Sequence, residues 1–137
     1  IKYPGYISPE LQRYGFLDIV TSSSKMHRLI KMDMDACFNE YVTQENKDMM
    51  KRLIADYNLV CDTGDQEDIY HAFMVVISNC PYGIELFMRC STNYEQLATI
   101  YRQRRHHKLK EDWGAFCEWV KSLPFAEQLI FVGLEEK

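Results

Sequence analysis

The chain predicts an α+β fold, a predominantly helical single domain over residues 1–137 with a small sheet of short strands, and three observations carry that prediction. Apolar residues recur at helical spacing through several stretches, as in Met50, Leu53, Ile54 and Tyr57. Residues 84–90 instead alternate, with Ile84, Leu86 and Met88 set against Glu85, Phe87 and Arg89, which is the two-residue period of a strand. Breaker residues separate these stretches in groups too short to be linkers, and neither an internal repeat nor a low-complexity tract occurs. At 137 residues, with 47% hydrophobic and 26% charged side chains, the chain has the composition of a soluble domain and enough apolar material for one core.

The elements follow in order. Residues 1–15 carry Pro4, Gly5, Pro9 and Gly15 and read as a turn-rich lead-in, with one helical turn at residues 9–14 capped by Ser8. Residues 16–21 predict a strand that Ser22, Ser23 and Ser24 break, and residues 26–32 fit either a second strand or the start of a helix. From Asp33 the spacing of Met34, Cys37, Phe38, Tyr41 and Val42 predicts a helix. After a polar break at residues 43–47 the pattern resumes at Met50, giving two helices or one kinked one. Asp62, Thr63, Gly64 and Asp65 form a turn and cap, and residues 66–78 predict a helix with Ile69, Ala72, Phe73 and Val76 inward, apolar enough late on to be central. Residues 79–83 break the chain before the strand at 84–90. Thr92 with Glu95 then matches a capping box. Glu111 and Asp112 favour a further helix start, with Trp113, Phe116, Cys117 and Val120 as its buried stripe. Pro124 ends that helix, and residues 125–132 predict a last short one.

Composition narrows the function classes. A net charge of −4 and a pI near 5.5 argue against a protein that coats nucleic acid through a general positive field, so any anion site is local. The five cysteines are odd in number and never form a CxxC pair, which predicts free, buried thiols in a reducing compartment rather than a disulfide framework or a zinc site. The longest apolar run, residues 72–77, is too short to span a bilayer, and no basic-then-apolar leader opens the chain; the expectation is a cytoplasmic protein with no membrane partner. Phosphate-cradling glycine loops and serine nucleophile elbows are both absent as motifs. The acidic groups Asp33 with Asp35, and Asp65 with Glu67 and Asp68, fall where helix starts favour carboxylates. His27 and His71 stand alone as packed or surface residues. His106 and His107 are adjacent and therefore point about 100° apart on a helix, so no metal is expected.

One feature does call for a ligand. Leu97, Ile100 and Tyr101 share a helix face, and Arg104 falls at its next position, which places a guanidinium on an apolar stripe. Arg102, Arg105 and Lys108 have a sufficient reason to be there, because a helix C-terminus favours each cation by about 0.3–1 kcal/mol. Arg104 differs because its register faces the core side, where a guanidinium suits a bound anion, a structural carboxylate partner, or a side chain that reaches out to solvent.

Around Arg104, residues 81–113 resemble the C-terminal half of the flavin-dependent thymidylate synthases. The shared pattern is a proline-bearing turn (Cys80-Pro81), a strand, Ser91-Thr92-Asn93, Leu97, Arg104 and Trp113, with Leu123-Pro124-Phe125 ahead of a last helix. The resemblance implies that Arg104 contacts a pyrimidine deoxynucleotide, that Asn93 lies by a flavin, FAD, and that Arg13, within Gln12-Arg13-Tyr14 at the end of a signature loop, also binds the nucleotide. It further implies a homo-oligomer whose sites lie between subunits, and an activity, where one is retained, of methyl transfer to dUMP. The signature loop departs from the family pattern: Ile1-Lys2-Tyr3 stands where the family has Arg-His-Arg, and Leu11 replaces a serine. The alternative reading is a small intracellular interaction protein whose basic helix end at residues 102–110, Arg102 through to Lys110, binds an acidic partner or nucleic acid.

Overall fold

The first long helix is started by a threonine. Thr43 Oγ1 accepts from the backbone N–H of Asn46 (3.4 Å), and the stretch expected as a polar break is the first turn of a 20-residue helix. In the computed structural model, which describes residues 1–22 and 25–133, the elements run β1 (Lys2–Pro4), α1 (Ser8–Gln12), β2 (Asp18–Ser22), α2 (Lys25–Arg28), α3 (Gln44–Thr63), α4 (Gln66–Asn79), β3 (Glu85–Ser91), α5 (Tyr94–Arg104), α6 (Ala115–Lys121) and α7 (Ala126–Leu129). Short 3-10 turns at Gly5–Ile7 and Leu29–Lys31 and a wider π turn at Lys110–Gly114 complete the list. The chain is thus α+β, with a three-stranded sheet in the order β1-β3-β2. Strands β1 and β3 are antiparallel, pairing Lys2 with Phe87, Tyr3 with Leu86 and Pro4 with Glu85. Among the described residues no helix is long and apolar enough to cross a membrane.

Several local expectations change. Ser8 lies inside α1 and makes no capping bond; Pro9 occupies the first turn, where its missing N–H leaves no helical acceptor unpaired. The open choice at residues 26–32 resolves to helix α2 and the 3-10 turn after it. Ser23, Ser24 and the side chains of Met26 and His27 lie outside the described residues.

The helix expected from Asp33 does not form. Asp33 instead closes a single turn, its carboxylate accepting from the Asp35 N–H (2.9 Å) and its carbonyl from the N–H groups of Ala36 and Cys37. The following backbone then pairs with the segment ahead of β3: Asn39 N–H donates to the Gly83 carbonyl (2.9 Å), Glu85 N–H to the Cys37 carbonyl (2.8 Å), and Phe38 bridges Ile84. Backbone groups that a helix would pair internally are taken by a neighbouring segment, and tertiary pairing overrides the periodicity. Met34, Cys37, Phe38 and Val42 are still buried, but Tyr41 is exposed.

Helix α4 is capped by Asp65, whose carboxylate accepts from the N–H groups of Glu67 and Asp68 (3.0 Å each). It packs against α3, but it is not the central element that its apolar run suggested: Val76 alone is buried, and Tyr70 and Met74 are exposed. One partner helix covers one face, so the remainder meets solvent.

The chain divides into two compact units, one comprising Ile1–Arg13 and Thr21–Arg89, the other Tyr14–Val20 and Cys90–Lys137. The first is organised around Leu29, Met34, Cys37, Phe38, Val42, Met50, Val76 and Ile84. The second has its own cluster of Leu97, Ala98, Tyr101, Cys117, Val120, Ala126 and Ile130.

Burial pushes the Cys37 thiol up to about 11 from 9.0, with the nearby Cys80 adding to the shift, and Cys80, Cys90 and Cys117 are raised by burial in the same direction. Between those two values the native state holds a proton that the unfolded chain has lost, so stability falls as pH rises through that window. From pH 8 to pH 10.5 the unfolding free energy in urea is expected to drop by about 2 kcal/mol through Cys37, and Cys37→Ala is expected to show a correspondingly smaller drop. Equal drops in the two proteins would mean that the thiol is not held protonated by the fold.

Candidate functional site

The second unit builds its site from the start of α5 onward. Asn93 is the N-cap: its Oδ1 accepts from the Gln96 N–H (2.9 Å), while the Gln96 Oε1 accepts from the Asn93 N–H (3.3 Å). The capping box is therefore Asn93 with Gln96, one residue beyond the expected Thr92 and Glu95; the Thr92 hydroxyl donates to the same Gln96 Oε1 (2.8 Å). Fixing the start fixes the phase. Leu97, Ala98, Ile100 and Tyr101 turn inward, and Arg104 arrives half-buried at the last residue of the helix.

Two aromatic side chains meet Arg104. Its Nε donates to the Tyr14 hydroxyl (2.7 Å), and that hydroxyl donates in turn to Gln103 Oε1 (3.1 Å). The guanidinium carbon lies 4.5 Å from the centre of the Trp113 ring and 5.5 Å from that of Tyr14. A hydrogen bond involving a charged group contributes about 1.5–3 kcal/mol and a guanidinium over an aromatic face about 0.5–2 kcal/mol, so both the plane and the direction of the group are held.

The turn after α5 brings the indole back beneath the guanidinium. His107 N–H donates to the Arg104 carbonyl (2.9 Å), Leu109 N–H donates to His107 Nδ1 (3.2 Å), and Trp113 N–H closes on the Leu109 carbonyl (3.0 Å). Glu111 and Asp112 thus belong to the π turn, and the regular helix begins only at Ala115. Trp113 is almost wholly buried, with its ring edge-on to Tyr14, His107 and Phe116 at centroid distances of 6.4, 6.2 and 5.7 Å. Arg102, Lys108 and Lys110 are exposed, as solvated cations at a helix end are, and His106 is exposed among them.

The residues named from the sequence have different fates. Arg104 is placed and oriented. Asn93 lies at the other end of α5 with its carboxamide oxygen engaged as a cap. Arg13 is exposed at the C-terminal end of α1, in the first unit. Sequence reasoning missed that Tyr14 and Trp113 hold Arg104, having treated Trp113 as core and Tyr14 as the tail of a loop. A separation of 90 residues between Tyr14 and Arg104 left no local signal for their pairing.

The residues at the positions implied for a flavin do not fit one. Lys2 is paired with Glu85, Tyr3 is buried in the first unit, and Asn93 serves the helix start. Among the described residues, no group of three or more His, Cys, Asp or Glu side chains is placed to hold a metal ion. Compared with family models, curated proteins and solved structures, the chain finds no match.

Proposed function

We propose that the second unit binds a pyrimidine deoxynucleotide through Arg104, as a divergent relative of the flavin-dependent thymidylate synthases, with binding and not flavin chemistry as its retained property. The observation that carries this reading is the Arg104 guanidinium, stacked on Trp113 and directed by Tyr14. A planar, permanently charged group with a fixed fork matches a phosphate or a uracil edge, and preorganisation lowers the ordering penalty of binding. The likeness of residues 81–113 to the family supplies the nucleotide class; Arg104 alone carries the site.

Thermal unfolding with dUMP tests the reading. At a hundredfold excess over its dissociation constant the nucleotide is expected to add about 2.7 kcal/mol of stability, seen as a raised Tm. Arg104→Ala is expected to abolish the shift. Arg104→Lys should recover little of it, because an ammonium keeps the charge without the fork. No shift with dUMP, or an undiminished shift in Arg104→Ala, would remove the proposal. A second reading is favoured by the exposure of Arg102, His106, Lys108 and Lys110: if dUMP has no effect and an acidic peptide or RNA binds in a salt-sensitive way, the basic helix end is the functional surface.

A further inference from the structure

We propose that the face of the α3–α4 hairpin formed by Tyr70, Phe73, Met74 and Ile77 docks against the same face of a second copy of this chain, the two hairpins running antiparallel. Helix α4 is more apolar than α3 or α5, yet Val76 is its one buried residue, whereas the shorter α5 encloses Leu97, Ala98, Ile100 and Tyr101. The apolar residues that α3 leaves uncovered form a row. Tyr70, Phe73, Met74 and Ile77 recur at three- and four-residue spacing, as one continuous helix stripe does. Tyr70 is 64% exposed and Met74 36%, with Phe73 and Ile77 half-buried. Phe73 borders the packed side, its ring 6.2 Å from that of Tyr57 on α3. A helix stripe of this kind is the form in which one helix docks on another.

The charge along the hairpin selects the occupant and its direction. At the tip, where α3 ends and α4 begins, stand Asp56, Asp62, Asp65, Glu67 and Asp68, and neither Lys nor Arg occurs between Arg52 and Arg89. At the base, α3 begins beside the end of α4, since Met50 and Val76 share one cluster. Here Lys47, Lys51 and Arg52 stand against Glu45 and Asp48. Lys51 is committed to Asp35, but among the described residues Lys47 and Arg52 have no carboxylate within ion-pair distance. A second copy laid antiparallel sets each acidic tip over the other's base, whereas a parallel copy sets tip on tip.

The stripe is also complementary to itself. A twofold axis passing between Phe73 and Met74 places Tyr70 opposite the partner's Ile77 and Phe73 opposite the partner's Met74. Helix α4 is about 21 Å long and, with α3 at the about 8–10 Å spacing of packed helices, presents a face about 20 Å wide. Two copies therefore cover on the order of 1,000 Å², the lower limit for a specific interface, so the pairing is weak and concentration-dependent. The surface lies within the first unit and uses no residue of the Arg104 site.

Sedimentation velocity on the full chain at low salt, across a concentration series, tests the proposal. A reversible monomer–dimer equilibrium is expected. The double variant Tyr70→Ser/Met74→Glu, which sets a carboxylate near the twofold axis, is expected to weaken it by about tenfold or more. Both side chains are exposed, and an unchanged circular dichroism spectrum would show that the variant folds. Asp56→Lys/Asp62→Lys, which reverses two charges at the tip and leaves the stripe intact, is expected to weaken the dimer as well. A tighter dimer in that variant would mean that the acidic tips face each other and overturns the antiparallel pairing. A wild-type chain that stays monomeric at about 1 mM, or a dimer undiminished in Tyr70→Ser/Met74→Glu, overturns the proposal outright. So does a monomer whose stripe is instead taken by a lysine-rich amphipathic peptide, which would give the surface to a different partner.

Discussion

Trp113→Ala is expected to destabilise the protein by about 3–5 kcal/mol, enough to threaten folding of a domain whose total stability is of the order of 5–15 kcal/mol. The indole is 2% exposed and sits among three ring edges, so its removal leaves a cavity that the π turn at Lys110–Gly114, anchored by its own backbone bond, closes poorly. The same change takes the aromatic face from Arg104. Urea unfolding followed by circular dichroism measures the loss, and a loss below about 1 kcal/mol would mean that the surrounding rings collapse into the space. Trp113→Phe separates packing from the cation: it retains a ring while weakening the face offered to the guanidinium. A double-mutant cycle with Arg104→Lys is expected to give a coupling of about 0.5–2 kcal/mol between the two positions.

Met50→Ala is expected to lose about 2–5 kcal/mol, with an effect that is regional as well as global. Met50 is the one buried residue of α3, fully enclosed by the cluster that includes Leu29, Phe38 and Ile84, while Leu53, Ile54 and Tyr57 pack against that cluster only in part. A helix of 20 residues seated by a single enclosed side chain depends on that residue to hold it and α4 to the sheet side of the unit. Hydrogen exchange is expected to accelerate across α3 and α4 in Met50→Ala beyond any change in the β1–β3 ladder. Uniform acceleration over the whole first unit would show that the hairpin and the sheet unfold as one.

The sequence was legible where local rules act alone. The strand at 84–90, the helix through Leu97 and Tyr101, the Asp65 cap and the inward positions of Trp113, Cys117 and Val120 could all be read because period and capping residue agreed. Residues 33–42 were misread for a physical reason. Their apolar spacing is the same whether a helix or a single β-bridge with its flanking hydrogen bonds buries it, and the deciding bonds go to Gly83, Ile84 and Glu85, more than forty residues away. The polar residues at 43–47 looked like an interruption because a well-capped, solvent-facing first turn carries no apolar signal. In the site, Arg104 could be found because a cation on an apolar stripe is a conflict visible in one helix. The side chains that resolve the conflict could not, since Tyr14 comes from the far end of the chain and Trp113 sits beyond a turn of unusual pitch.

Helix α5 also acts as a ruler. Its eleven residues, Tyr94–Arg104, rise about 16 Å from the capping asparagine to the stacked arginine. That span is too long for one mononucleotide to bridge along the rod. A ligand seated on Arg104 would address the turn and the indole beyond the helix, while the opposite end could answer only to a second molecule or a longer one. Asn93 and Arg104, eleven positions apart in the sequence, therefore stand at opposite ends of the same rigid element.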